Sequence, residues 1–452
     1  MTLDARRIGF NILLGLAFYL PLEDFLLRWL PLSQGLLVAL RQVPEVLVWL
    51  VALGAAAIHL ANHGSIRVIG RRIDRFLIGF IVVAVASIFL NGADIFSAVN
   101  GIKALIRYIP LIYALIMLAP DNTQLTRIPR VVVVAFGIQA AVGIAEWLGG
   151  QPVRSFFSVI HAWGGFTFVG ATVDLLQFWE GYDLTGTMAR PIAYGYFILV
   201  GLVVWVVQNE KRPLRYGAGV ALAVLLTFLS HSRMAVFGAV LVVVMHQVAI
   251  RGVRNTLWMT TLLLPLVAAV ALSMGSALAE NIYVLDVFSQ EYREHALAEN
   301  RLGLVVYIVP YAFDGGITLL GYSSDIGIVA AAVAEHFRLP EVLASIFVGI
   351  LDDVYWLALL LYYGFVGFAC FVLFFGKLMA LVFRLYRRAT DGYSKRYALI
   401  ALLLLLLAVP LNSINQAFQI RQFAYYLWLF VGVAIVATRN AMPTSEPTGE
   451  VA

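Results

Sequence analysis

Residues 349–368 read GILDDVYWLALLLYYGFVGF, with two adjacent aspartates, Asp352 and Asp353, standing directly against a long apolar run. That run is long enough to enter a bilayer, whose core takes about 20 apolar residues per helix. The same pattern governs the rest of the chain. Of its 452 residues 62% are hydrophobic and the mean hydropathy is +0.90, whereas soluble domains are close to half apolar. Working outward gives about twelve membrane-spanning helices, near 8–28, 43–61, 75–92, 98–118, 130–148, 190–208, 215–230, 233–250, 256–275, 355–382, 397–413 and 422–438. The reading is one all-α polytopic membrane domain over 1–452. The first span is interrupted by Glu23 and Asp24, and SHSR separates 215–230 from 233–250 because it is too polar to meet lipid unaided.

Lys and Arg set the expected orientation. Alternate connections, among them RR (6–7), RVIGRRIDR (67–75), EKRPLR (210–215) and RLYRRATDGYSKR (384–396), hold 19 of the 31 basic residues. This bias puts both termini in the cytoplasm, with 440–452 as a disordered cytoplasmic tail. Two long segments then fall outside, 149–189 and a large loop at 276–352 between the ninth and tenth spans. Acidic residues far outnumber the three basic ones of the larger loop, Arg293, Arg301 and Arg338. Its stretches NRLGLVVYIVPYAF and IGIVAAAVAEHF are apolar enough to be short helices at the membrane surface. Cys370 is the single cysteine, so neither an internal disulfide nor a cysteine metal cluster is available. The formal charge of +5 is too small to suggest a nucleic-acid binder.

Ionisable groups inside or at the edge of a span are functional candidates by default. Lys103 and Arg107 are four residues apart and share a helix face; they read either as ligand contacts or as a snorkelling pair or a cation bonding helix carbonyls within the bundle. Arg190 precedes Pro191 at a helix start, where an ordinary interfacial arginine is the plain alternative. Arg233, after a tight turn, sits at a helix N-terminus that already carries positive partial charge, and an anion coming to it explains the placement. A Ser-His hydrolase at His231-Ser232 is a poor fit, since adjacent residues do not face each other and no G-x-S-x-G turn is present. Arg301 opens an apolar stretch and has Glu299 and Glu294 as alternative partners. One of Asp352 and Asp353 suffices to cap the following helix. The other is free to act as a general base, its pKa raised toward neutrality at the membrane edge. A DDxxD magnesium site is not matched, because Trp356 stands where the third carboxylate belongs. Guanidinium groups that hold a diphosphate and a carboxylate that accepts a hydroxyl proton together describe glycosyl transfer from a lipid diphosphate. Aromatic residues of 155–182, such as Trp163 and Trp179, could stack on sugars or form an interfacial belt.

GTMARPIAYGYFIL (186–199), LSHSR (229–233), ENRLGLVVYIV…GGITLLGY (299–322) and DDVYWLALLLYYGFVGF (352–368) occur in an order that resembles the O-antigen ligase and polymerase superfamily of bacterial envelope enzymes. The resemblance covers about 130–440. It implies a GT-C-like, metal-independent glycosyltransferase without a cofactor, acting on undecaprenyl-diphosphate-linked glycan at the periplasmic face of the inner membrane. The family's arginines correspond to Arg233 and Arg301, although Leu304 stands where a tryptophan is usual. Tyr355 matches the tyrosine after the polar pair. Ligases carry a histidine where this chain has Asp352-Asp353, and that departure favours a polymerase of O-antigen or exopolysaccharide repeat units. On this reading Asp352 or Asp353 is catalytic, Arg233 and Arg301 hold the donor with Arg190, Arg107, Lys103 and Tyr355 as further contacts, and a chain-length regulator or other assembly proteins are partners. The alternatives are a ligase acting on lipid A core or another acceptor, and a non-enzymatic polysaccharide transporter or flippase.

Overall fold

The computed structural model describes residues 3–30, 32–66, 69–157, 166–168, 171–173, 184–188, 190–253, 256, 311–338, 348–349 and 354–441. The expected span 256–275, most of both long outer segments, the tail from 442 onward, and Arg301, Asp352 and Asp353 lie outside these residues. In chain order the helices are α1 (Leu3–Tyr19), α2 (Glu23–Arg28), α3 (Gln34–His63), α4 (Arg71–Leu90), α5 (Ile95–Ile106), α6 (Pro110–Leu118), α7 (Asn122–Leu125), α8 (Arg127–Phe157), α9 (Pro191–Gln208), α10 (Pro213–Leu229), α11 (Arg233–Arg251), α12 (Ile326–Phe337), α13 (Tyr355–Arg388), α14 (Gly392–Ile414) and α15 (Arg421–Ala441). A short antiparallel ribbon, β1 (Phe166–Phe168) with β2 (Ala171–Val173), lies between α8 and α9.

The chain is therefore a helical polytopic membrane protein. Among the described residues eight helices are long and apolar enough to cross a bilayer, or nine if α5 and α6, bent by 50°, form one span. Of the twelve expected, 256–275 lies outside the described residues, and three others are not single helices of that length. The span expected at 8–28 breaks at Leu20–Leu22 into α1 and the six-residue α2. The 98–118 span bends where Pro110 takes the first position of α6, since proline lacks the N–H a continuous helix needs. Helix α10 has 17 residues.

Helices α9 and α15 form the centre. The apolar window of α15 is 94% buried, against 28% for α11. Residues such as Leu50, Ile78, Phe89 and Val240 on α3, α4 and α11 face outward, as lipid-facing residues do. Helix α15 reaches α1 through its tyrosines: the Tyr425 hydroxyl donates to the Leu13 carbonyl at 2.5 Å, and Tyr426 donates to Ala17. A Cβ added at Gly432 would lie 2.7 Å from the Leu115 side chain, so glycine lets α15 and α6 approach closely.

Helix α13 is interrupted at Gly364, whose φ of 63° and ψ of −171° leave the helical region. Its freed backbone groups are taken up by the segment ahead of α12. Tyr322 N–H donates to the Leu361 carbonyl at 3.3 Å, Ser323 N–H to Tyr362 at 2.8 Å, and Val366 N–H to Leu319 at 3.1 Å. A broken helix at membrane depth is tolerated only where its polar groups find such partners. Gly321 and Gly364 make this pairing possible, because a Cβ on either would strike the other's backbone.

Candidate functional site

The starts of α9, α11, α13 and α15 gather at one end of the bundle, here the upper end, around the α14–α15 turn (415–420). Asn415 donates to the Tyr196 hydroxyl of α9 at 2.9 Å. Gly195 beside it packs against Ser230, Ser232 and Ala235 at the start of α11. Phe418 meets the Tyr355 ring of α13 edge-on at 4.9 Å. The Gln419 carbonyl accepts from Arg107 Nη1 at 3.2 Å.

A buried ionic network occupies this end. Arg421 opens α15 and binds Glu23 through two hydrogen bonds, Nη1 to Oε2 at 2.7 Å and Nη2 to Oε1 at 3.3 Å. Its Nη2 also donates to the Arg41 carbonyl at 2.5 Å, and Nε lies 3.4 Å from Glu45 Oε1. Arg41 pairs with Asp24. Lys103 Nζ donates to Gln42 Oε1 at 2.7 Å and lies 3.6 Å from Glu45 Oε2. Arg107 Nη1 lies 3.5 Å from Glu45 Oε1. Four cations thus surround three carboxylates, Glu23, Asp24 and Glu45, each almost fully buried. Desolvating such charges is costly, and only pairing of this quality holds them in place. Glu23 and Asp24 follow the break after α1, and Arg107 stands at the bend between α5 and α6.

Arg190 is the N-cap residue of α9, and the residues before it are fastened to the same region. Glu146 Oε2 of α8 accepts from Gly186 N–H at 2.9 Å and Thr185 N–H at 3.2 Å. The Thr187 hydroxyl donates to the Pro21 carbonyl at 2.6 Å, two residues from Glu23. Arg233 takes the first position of α11, after His231 with a φ of 51°.

Next to this network lies a cavity of about 410 Å³ between α5 and the start of α12. Phe96, Asn100, Ser324, Asp325, Tyr362 and Gln419 are among the residues lining it. Among the described residues no Lys or Arg lines it. Tyr362 belongs to the broken stretch of α13, and Gln419, whose carbonyl holds Arg107, also lines the cavity. Among the described residues no three His, Cys, Asp or Glu side chains form a group that could hold a metal ion.

The structure thus brings Lys103 and Arg107 together through Glu45, and joins Arg107 to the turn against which Tyr355 packs. It gives both cations partners inside the bundle, Glu45 and Gln42 for Lys103, Glu45 and the Gln419 carbonyl for Arg107. Tyr355 is fully buried, and among the described residues its hydroxyl has no hydrogen-bond partner. Sequence reasoning passed over Arg421, Arg41 and Glu45, and treated Glu23 and Asp24 only as an interruption. A signal for Arg421 existed, since it opens a helix at the positive end of the dipole just as Arg233 does.

No family model matches the chain, and no curated protein matches it significantly.

Proposed function

We propose that the protein is a glycosyltransferase of a bacterial inner membrane, with both termini cytoplasmic. It joins undecaprenyl-diphosphate-linked repeat units of an O-antigen or exopolysaccharide at the periplasmic face, and the upper end of the bundle is that face. Arg233 and Arg301 hold the donor diphosphate, with Arg190 alongside. The oxygen of an acceptor sugar hydroxyl attacks the anomeric carbon of the donor. The bond from that carbon to the diphosphate breaks, and the diphosphate leaves with the electron pair. Asp352 or Asp353 takes the hydroxyl proton.

The observation that carries this reading is the double use of Gln419, which bonds Arg107 of the ionic network and also lines the neighbouring cavity. Amides, hydroxyls and one carboxylate next to aromatic rings suit a polyol. The described lining holds no cation and suits the sugar part of a substrate rather than its phosphates. The volume falls within the range of about 300–1,000 Å³ usual for small-molecule sites.

Substituting Asp352→Asn and Asp353→Asn, singly and together, and resolving polymer length on gels tests the proposal. Shortened or absent polymer is expected in at least one single variant; wild-type length in all three ends the general-base assignment. In a deletion strain, single-repeat glycan supports a polymerase, and long chains left on the carrier lipid support the ligase alternative.

The bend between α5 and α6 and the break in α13 favour a second reading, a polysaccharide transporter, since such proteins use discontinuous helices at their substrate sites. Glycan flux in vesicles with no new glycosidic linkage would select it.

A further inference from the structure

The opposite end of the bundle presents charges of another kind. A cavity of about 590 Å³ opens between the end of α9, the connection to α10, and the facing sides of α8 and α14. Lys211, Arg212, Arg215 and Arg396 line it together with one acid, Glu210, an excess of three positive charges (4 − 1). Among the described residues, none of these four cations makes an ion pair or a side-chain hydrogen bond. This is the reverse of the upper end, where Arg41, Lys103, Arg107 and Arg421 each have a carboxylate within 4 Å. Four like charges around one cavity repel each other and lower its affinity for anything but an anion.

Two features select the kind of anion. Trp205 forms part of the wall, its indole N–H donating to the Arg215 carbonyl at 2.8 Å; tryptophan favours the boundary between headgroups and acyl chains. Leu214, between Arg212 and Arg215 in the first turn of α10, is 89% exposed. An outward leucine flanked by arginines matches an amphiphile, with acyl chains against the leucine and phosphate against the guanidinium groups. A free inorganic anion has no use for it.

We infer that this basin binds the phosphodiester headgroup of an anionic glycerophospholipid. Arg212, Arg215 and Arg396 supply planar donors that engage two phosphate oxygens at once, and Lys211 supplies a point charge. The proposal does not depend on the glycosyltransferase reading, because it concerns other residues at the other end of the bundle.

The test uses the full-length protein, delipidated in detergent and then supplied separately with phosphatidylglycerol, phosphatidylcholine or inorganic phosphate. Native mass spectrometry counts retained lipid and a thermal melt reports stabilisation. Phosphatidylglycerol is expected to be retained and to raise Tm, while phosphatidylcholine and inorganic phosphate do neither. Each Arg→Gln change at 212, 215 and 396 is expected to weaken phosphatidylglycerol about fivefold, and the triple variant about a hundredfold. Glu210→Gln, which leaves every basic side chain in place, is expected to strengthen it and serves if the triple variant fails to fold. Equal retention of the two lipids, or unchanged affinity in the single Arg→Gln variants, overturns the proposal. A Tm rise from inorganic phosphate alone assigns the basin to a free anion and overturns the lipid.

Discussion

Arg421 and Glu23, 398 residues apart in the chain, close a two-point ion pair at the break between α1 and α2. Glu23 is completely buried. The pair ties the first and last parts of the polypeptide together at the end of the bundle that carries the candidate site. It also explains how an arginine can open a helix against the dipole, because a buried carboxylate supplies the negative charge.

Removing Arg421 takes from the buried Glu23 carboxylate its ion-pair partner, which costs about 3–5 kcal/mol, whereas removing Glu23 leaves Arg421 with Glu45 at 3.4 Å and costs less. Glu23→Gln and Arg421→Gln should each lower the thermal midpoint in detergent, Arg421→Gln the more. Glu23→Leu with Arg421→Leu should cost less than the sum of the single changes. Single variants that melt with the wild type would show that the pair contributes nothing to stability.

At Gly364 and Gly321 a side chain meets both an unfavourable left-handed φ and opposing backbone. Gly92 has a similar φ of 59° with nothing within 4 Å of an added Cβ. Gly92→Ala should cost only the left-handed strain, about 1–2 kcal/mol. Gly364→Ala and Gly321→Ala should cost clearly more and reduce the yield of folded protein. Equal melting of all three alanine variants would contradict the pairing of the 318–323 segment with the α13 break.

The Asp121 side chain caps α7 and accepts from the Gln124 N–H at 2.7 Å and the Thr123 hydroxyl at 2.6 Å. These bonds, the Thr123 hydroxyl foremost, hold its carboxyl below the ordinary carboxylate range. A depressed pKa means that the stabilisation is complete above the unfolded value, about 3.9, and disappears as the pH falls through the lower folded value. Asp121→Ala should cost about 1 kcal/mol at pH 7, typical of a lost N-cap, and progressively less below pH 4. A difference in melting that stays constant with pH would remove the cap's charge from the account.

Ala104 is half-buried and lines the cavity beside Gln419. Under the glycosyltransferase reading, Ala104→Phe fills that cavity, so polymer should shorten although the protein still inserts and melts normally. The matching change Ala104→Ser should leave chain length unchanged. Full-length polymer from the phenylalanine variant would exclude the cavity as a sugar site.

The amino-acid sequence by itself determined the class of this molecule and the position of most of its helices, because lipid demands long apolar runs and the peptide group must satisfy itself within them. It also marked Lys103 and Arg107 as a pair on one face, and the spacing of four residues brought both to Glu45. Where the helices break was decided by tertiary structure. Hydropathy averages over a window and does not register that Leu361 and Tyr362 lend their carbonyls to Tyr322 and Ser323, or that Pro110 bends one span into two helices. Which charges are neutralised and which stand open was also decided there. Coulombic pairing depends on distance in space, so Arg421 finds Glu23 from the far end of the chain, while Arg212, Arg215 and Arg396 are gathered around one cavity and, among the described residues, none forms an ion pair.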